Sequence, residues 1–172
     1  GKRMNTDISK QYLLLNDKPI LAYAIQAFEE SNVDNIILVC PKNDISYCKE
    51  EIINKYNISK VTHVIEGGAE RYHSVYNGLK QCQQSDYVLI HDGVRPFIKK
   101  DLINQCIEHV KKSSACVLAV PVKDTIKVAG DGQWIEETLD RTKLWSIQTP
   151  QAFEYDSIYK AYQLYMNTER TD

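Results

Sequence analysis

The sequence predicts an α/β chain in three layers, a mostly parallel sheet with helices on both faces. Three observations predict it. Short runs that are apolar on both faces recur at 35–40, 87–91 and 115–120. Segments of helical periodicity lie between them, and the rhythm changes to that of a hairpin only after Pro121. A strand that is apolar throughout must be covered on both faces, which favours parallel pairing under helices.

The elements follow in order. Asp17 is placed to cap a first helix, with Pro19 near its first turn and Ile20, Tyr23, Ala24, Ala27 and Phe28 as its apolar stripe. The run at 35–40 is ended by Pro41. Asp44 is placed to cap a second helix that carries Ile45, Cys48, Ile52 and Tyr56 on one side. A more polar strand is expected at 60–65, helices at 74–79 and 102–110, and strands at 87–91 and 115–120. Residues 125–128 and 134–138, around a turn at Gly130 and Gly132, read as a hairpin that projects as an arm. A last amphipathic helix is expected at 156–166.

Size and charge narrow the class. With 172 residues the chain suits one domain, 1–172, with the arm at about 122–146. A net charge of −2 gives no basic footprint for nucleic acid, and no run approaches a membrane span. Cys40, Cys48, Cys82, Cys106 and Cys116 are odd in number and lack paired metal-ligand spacing. They suit a reducing, cytoplasmic setting better than a disulfide framework.

Four clusters carry chemistry. Residues 1–10 form a basic loop in which Arg3 could hold phosphate oxygens by its fork and Lys10 as a point charge; the alternative is a solvated tail. Residues 66–71, EGGAER, leave a strand and enter a helix. Adjacent Gly67 and Gly68 let backbone N–H groups approach a ligand, and Ser74 one turn on could read a base edge. A turn without a ligand is equally consistent. Residues 91–96, HDGVRP, follow the strongest strand, so Asp92 lies where α/β sheets bind ligands. One carboxylate there suits a Mg²⁺ ion whose other oxygens come from phosphates. Arg95 is expected to hold this loop by pairing with Asp92, and His91 to be a satisfied core residue. The fourth cluster, Arg141 to Lys143 after the hairpin, is either a solvated turn or a second phosphate site.

Taken together, these segments resemble the 2-C-methyl-D-erythritol 4-phosphate cytidylyltransferase family over nearly the whole chain. The resemblance rests on GKRM at 1–4 with KQY at 10–12, GGAER at 67–71 with Ser74, His91-Asp92 with Arg95, PVKDT at 121–125, and Arg141 followed by QTPQAF at 148–153. It implies a Rossmann-like sheet of the nucleotide-diphospho-sugar transferase type. It also implies transfer of a cytidylyl group from CTP to a polyol phosphate, with Mg²⁺ as cofactor. By motif, Arg3 and Lys10 would be catalytic, and Gly1, Gly67, Gly68, Ser74 and Asp92 would bind the nucleotide, Asp92 also serving the metal. Thr125, Arg141, Thr149 and Thr171 would position the acceptor. The hairpin would be the arm of a homodimer, so that Arg141 serves the partner's site.

Against the family pattern, an opening strand before Gly1 and a segment after Asp172 are expected to be missing. Ribitol-5-phosphate cytidylyltransferases share the nucleotide motifs and are the near alternative. A non-catalytic nucleotide-binding or dimerisation module is the distant one.

Overall fold

Asn16 and Asp17 both adopt left-handed backbone, φ 47 and 61, and between them turn Leu14–Leu15 (β1) back onto Lys18–Pro19 (β2). Two left-handed residues are the signature of a tight hairpin turn, which Asn and Asp tolerate. Asp17 is therefore a turn residue rather than the expected helix cap. The helix starts after Pro19, at Ile20–Glu29 (α1). The computed structural model describes residues 9–131 and 134–168. Gly1, Arg3, Thr171 and the hairpin's Gly132 lie outside the described residues.

Ile36–Cys40 (β3) is the first of the expected apolar strands. A short helix, Ile45–Tyr47 (α2), then passes directly into a π-helical stretch at Cys48–Asn54. That stretch buries Cys48 and Ile52 against Leu21 and Ile25 of α1. Asp44 stands before α2 but caps nothing with its side chain; its carboxylate accepts the Tyr12 hydroxyl at 2.8 Å instead. Val61–Glu66 (β4) pairs in parallel with β3, Leu38 opposite Val64.

Arg71–Leu79 (α3), Tyr87–Ile90 (β5), Lys100–Ser113 (α4) and Ala115–Pro121 (β6) follow where helix and strand patterns alternate. Lys127–Ala129 (β7) and Ile135–Thr138 (β8) form the antiparallel hairpin. Trp145–Glu154 (β9) and Tyr155–Met166 (α5) complete the described chain.

The pairing corrects the expectation of a mostly parallel sheet. Strand β9 lies between β5 and β6 and runs antiparallel to both. Among the described strands only β3 and β4 pair in parallel. The three layers are nonetheless present around β5-β9-β6. Tyr87 and Leu89 face Cys106 and Val110 of α4. Val88, one position out of phase, faces Leu79 of α3 and Tyr155 of α5. Alternate side chains of one strand thus meet helices on opposite faces. The facing edges of β3 and β5 are unpaired among the described strands, and the gap between them is bordered by Leu21 and Phe28 of α1 and by Val75 and Leu79 of α3. No helix among the described residues is long and apolar enough to cross a membrane.

Candidate active site

The carboxyl ends of three strands set the site. Strand β4 ends at Glu66, and Gly67 then donates its N–H to the carbonyl of Cys40 at the end of β3, 2.9 Å away. The chain turns here so tightly that side chains do not fit. A Cβ on Gly67 would lie 2.8 Å from Ser74 Oγ, and one on Gly68 would lie 2.2 Å from His73 Cβ. The Gly68 N–H donates to Ser74 Oγ at 3.0 Å, and that hydroxyl donates to the Glu70 carbonyl at 3.3 Å. Ser74, expected to read a base edge, thus also fastens the glycine turn to the first turn of α3.

The third strand end carries Asp92. Arg71, the first residue of α3, reaches across to it, with Nη2 at 2.9 Å and Nε at 3.3 Å from Oδ1. Arg95 Nε donates to the other oxygen at 3.2 Å, and its Nη1 donates to Gln148 Oε1. Burial pushes the Asp92 carboxyl up, and the Arg71 and Arg95 guanidiniums outweigh it, holding the group below the ordinary aspartate range. Arg95 does hold the loop, as its position suggested. Arg71, quoted in a motif but given no role, is what sequence reasoning missed. Its signal was an arginine opening a helix behind a glycine turn, across from the Asp92 loop.

Strand β9 supplies the floor under this turn. Val117 faces Gln151 and Ala119 faces Ile147, so Gln148, Thr149 and Pro150 together oppose Leu118. Such a bulge re-aims side chains next to functional sites. Here Gln148 meets Arg95. Thr149 Oγ1 accepts the Asp92 N–H at 3.2 Å and lies 3.0 Å from His91 Nδ1. His91 Nε2 lies 3.2 Å from the Arg95 carbonyl, and its ring packs on Phe28. Burial lowers the His91 pKa below its ordinary value. Thr149 is only 7% exposed, so its hydroxyl, expected to position the acceptor, is engaged within the chain.

Lys10 opens a single helical turn, Lys10–Tyr12. Tyr12 anchors that turn through Asp44 and through Cys48 Sγ, 3.4 Å from its hydroxyl. Burial, with these two bonds, raises the Tyr12 pKa, so it stays a neutral donor. Gln11, Tyr12, Arg71, Ser74 and Asp92 all border the gap between β3 and β5, which runs the length of both strands. No hydrogen bond or ion pair fixes the Lys10 ammonium among the described residues.

The acceptor-side residues lie apart. Arg141 Nη1 donates to the Lys123 carbonyl at 2.9 Å. No hydrogen bond or ion pair among the described residues joins Arg141 or Thr125 to the Asp92 cluster. As for a metal, the described residues hold no group of three or more His, Cys, Asp or Glu side chains that could enclose one. Both oxygens of the Asp92 carboxylate already accept from guanidiniums, Oδ1 from Arg71 and Oδ2 from Arg95.

Comparisons with known proteins show the family. The family model for 2-C-methyl-D-erythritol 4-phosphate cytidylyltransferase matches residues 1–172. A protein of that name from Lachnoclostridium phytofermentans is 53% identical over 162 residues, 94% of this chain and 70% of that protein. One from Lachnospira eligens is 52% identical over 163 residues, 94% of this chain and 71% of that protein. Among solved structures, the 4-diphosphocytidyl-2C-methyl-D-erythritol synthase of Anaerococcus prevotii superposes with a TM-score of 0.87 at 32% identity. That match covers 95% of this chain and 72% of the other. With its glycine turn, its paired Asp92 and likeness on this scale, the chain belongs to the 2-C-methyl-D-erythritol 4-phosphate cytidylyltransferase family.

Proposed function

We propose that this chain transfers the cytidylyl group of CTP to 2-C-methyl-D-erythritol 4-phosphate and releases pyrophosphate, a step of non-mevalonate isoprenoid precursor synthesis. A phosphate oxygen of the acceptor attacks the α-phosphorus of CTP. The bond from that phosphorus to the bridging oxygen breaks, and its electrons leave with pyrophosphate. The reaction asks the protein for positioning and charge stabilisation and needs no covalent intermediate.

The observation that carries the reading is the Arg71–Asp92 bridge, which ties the glycine turn after β4 to the loop after β5 at the carboxyl ends of the strands. Gly67, Gly68 and Ser74 hold the cytosine end. Lys10, with Arg3, stabilises charge on the departing pyrophosphate. Asp92 would be the side chain that helps hold a nucleotide-bound Mg²⁺, and the ion would supply neutralisation of phosphate charge. Thr125 and Arg141 take the acceptor, the guanidinium fork matching its phosphate, with Thr171 assisting.

The chain acts as one nucleotidyltransferase unit, with its arm at about 122–146, in a homodimer. Support for the dimer comes from exposed apolar side chains on the hairpin and its neighbouring strand, Trp134 at 79%, Ile135 at 64% and Trp145 at 56%. Residues of this kind gather at interfaces between chains. Five unpaired thiols suit a reducing cytoplasm.

Pyrophosphate release from CTP tests the reading. It is expected with 2-C-methyl-D-erythritol 4-phosphate and absent without an acceptor. Faster release with ribitol 5-phosphate would reassign the substrate, and CTP binding with no release under any acceptor would make the chain a binding module.

A further inference from the structure

The bulge of β9 does more than pass beneath the site. Two adjacent side chains on it, Gln148 and Thr149, grip opposite parts of the 91–95 turn. The polarity of the Thr149 grip can be worked out atom by atom. The Arg95 carbonyl can only accept, so His91 Nε2, 3.2 Å away, carries the hydrogen. In the neutral ring Nδ1 is then an acceptor. In that tautomer Thr149 Oγ1, 3.0 Å from Nδ1, donates to it, while the Thr149 carbonyl stands as a further acceptor for the ring. The same oxygen has lone pairs left and receives the Asp92 N–H at 3.2 Å. With the Nε2–H tautomer the hydrogens run in one direction: Asp92 N–H to Thr149, Thr149 O–H to His91, and His91 Nε2–H to Arg95.

We propose that Thr149 and His91 form a one-way hydrogen-bond relay that locks the 91–95 turn and thereby positions Asp92 for the reaction. Thr149 is a positioning residue in this account and touches no substrate. The relay closes a loop, because it starts at the backbone of Asp92 and ends at the backbone of Arg95. Those are the residues whose side chains pair at 3.2 Å. The turn is therefore held once through side chains in front and once through Thr149 and His91 behind. Phe28, packed against the His91 ring at 5.0 Å between centroids, limits its rotation. A hydroxyl at position 149 is required, and a methyl group is not.

The functional arm of the test rests on the proposed cytidylyl transfer, so the experiment also reads the relay without turnover. Side-chain ¹⁵N–¹H spectra of the whole chain should show His91 as the Nε2–H tautomer. Amide exchange should show the Asp92 N–H protected. Thr149→Val should leave a mixed tautomer and an unprotected Asp92 amide, whereas Thr149→Ser should keep both signatures. In kinetics Thr149→Val should lower kcat on the order of tenfold, as expected for one lost hydrogen bond. KM for CTP and for the polyol phosphate should change less, and Thr149→Ser should restore the rate. A His91 Nδ1–H signal in the unmodified protein overturns the relay, and this reading needs no variant to fold. A Thr149→Val protein with native kcat and raised polyol-phosphate KM overturns it too, by making Thr149 a substrate contact. If no transfer is found with any acceptor, the spectra still decide the relay, and only the assigned activity fails.

Discussion

The turn at 91–95 and the turn at 141–143 each present an arginine beside a candidate phosphate site, and the chain treats them in opposite ways. Around Asp92, two guanidiniums, a threonine hydroxyl and a histidine ring converge from α3, β9 and the turn itself. Around Arg141, the side-chain hydrogen bonds and ion pairs among the described residues stay within the arm. Asp140 accepts from Thr142, and Arg141 reaches the Lys123 carbonyl. The hairpin before it is exposed along both strands. The first turn is finished by its own chain. The second is left exposed, as the arm of the proposed homodimer would be.

The sharpest way to break this contrast is at the nucleotide side. Lys10→Ala should lower kcat on the order of 10²–10³-fold while leaving CTP affinity nearly intact, because a charge-stabilising donor acts in the transition state. A matching loss of CTP affinity in calorimetry, with turnover of bound substrate unchanged, would reduce Lys10 to a binding residue.

Next comes the pairing itself. Arg141→Ala should chiefly raise KM for the polyol phosphate. Mixed and exchanged with Lys10→Ala, it should regain roughly a quarter of native activity, since about half of the dimers are mixed and each has one intact site. Verified exchange without recovery would place Arg141 in its own chain's site and erase the contrast.

A smaller effect should follow from the exposed side chains. Trp134→Glu with Ile135→Asp should convert dimers to monomers in sedimentation. The folding stability of the monomer should change by no more than about 0.5 kcal/mol per site, as for other exposed positions. Monomers in the unmodified protein would contradict the arm.

The least effect is expected from acid. Asp92 has a lowered folded-state pKa, so its contribution to stability is complete above the unfolded value of about 4 and fades as pH falls through the folded one. Arg71→Ala should move that loss to higher pH in thermal melts at graded pH. An unchanged acid limb would show that Arg95 alone sets the carboxyl.

How much of this was legible in the chain varies by element for physical reasons. Strands β3, β5 and β6 announce themselves because each is a short apolar run. Strand β9 does not, although it is the middle strand of its sheet. Thr149 and Pro150 interrupt its apolar pattern, and proline is a poor guest in a central strand. The bulge that accommodates them is a tertiary feature without a local signal. Without β9 in view, a mostly parallel sheet was the natural expectation. Asp17 misled in the same manner, since the residue type that caps helices also tolerates the left-handed turn it occupies. In the site, the pairing of Arg95 with Asp92 was readable from their spacing of three. Arg71 was not, because it lies 21 residues from Asp92 and only the fold brings them together.

The buried thiols give this protein built-in reporters of its own motions. Cys40 and Cys48 sit in the core of α1, β3 and the π-helical stretch, and Cys106 in the core beneath α4 and β9. Burial pushes the Cys40 thiol up to about 12 and the Cys106 thiol up to about 11, so neither offers a thiolate to an alkylating reagent while its core is closed. Modification must wait for an opening. Its rate at each cysteine therefore times the breathing of each half of the molecule separately, with no cysteine introduced.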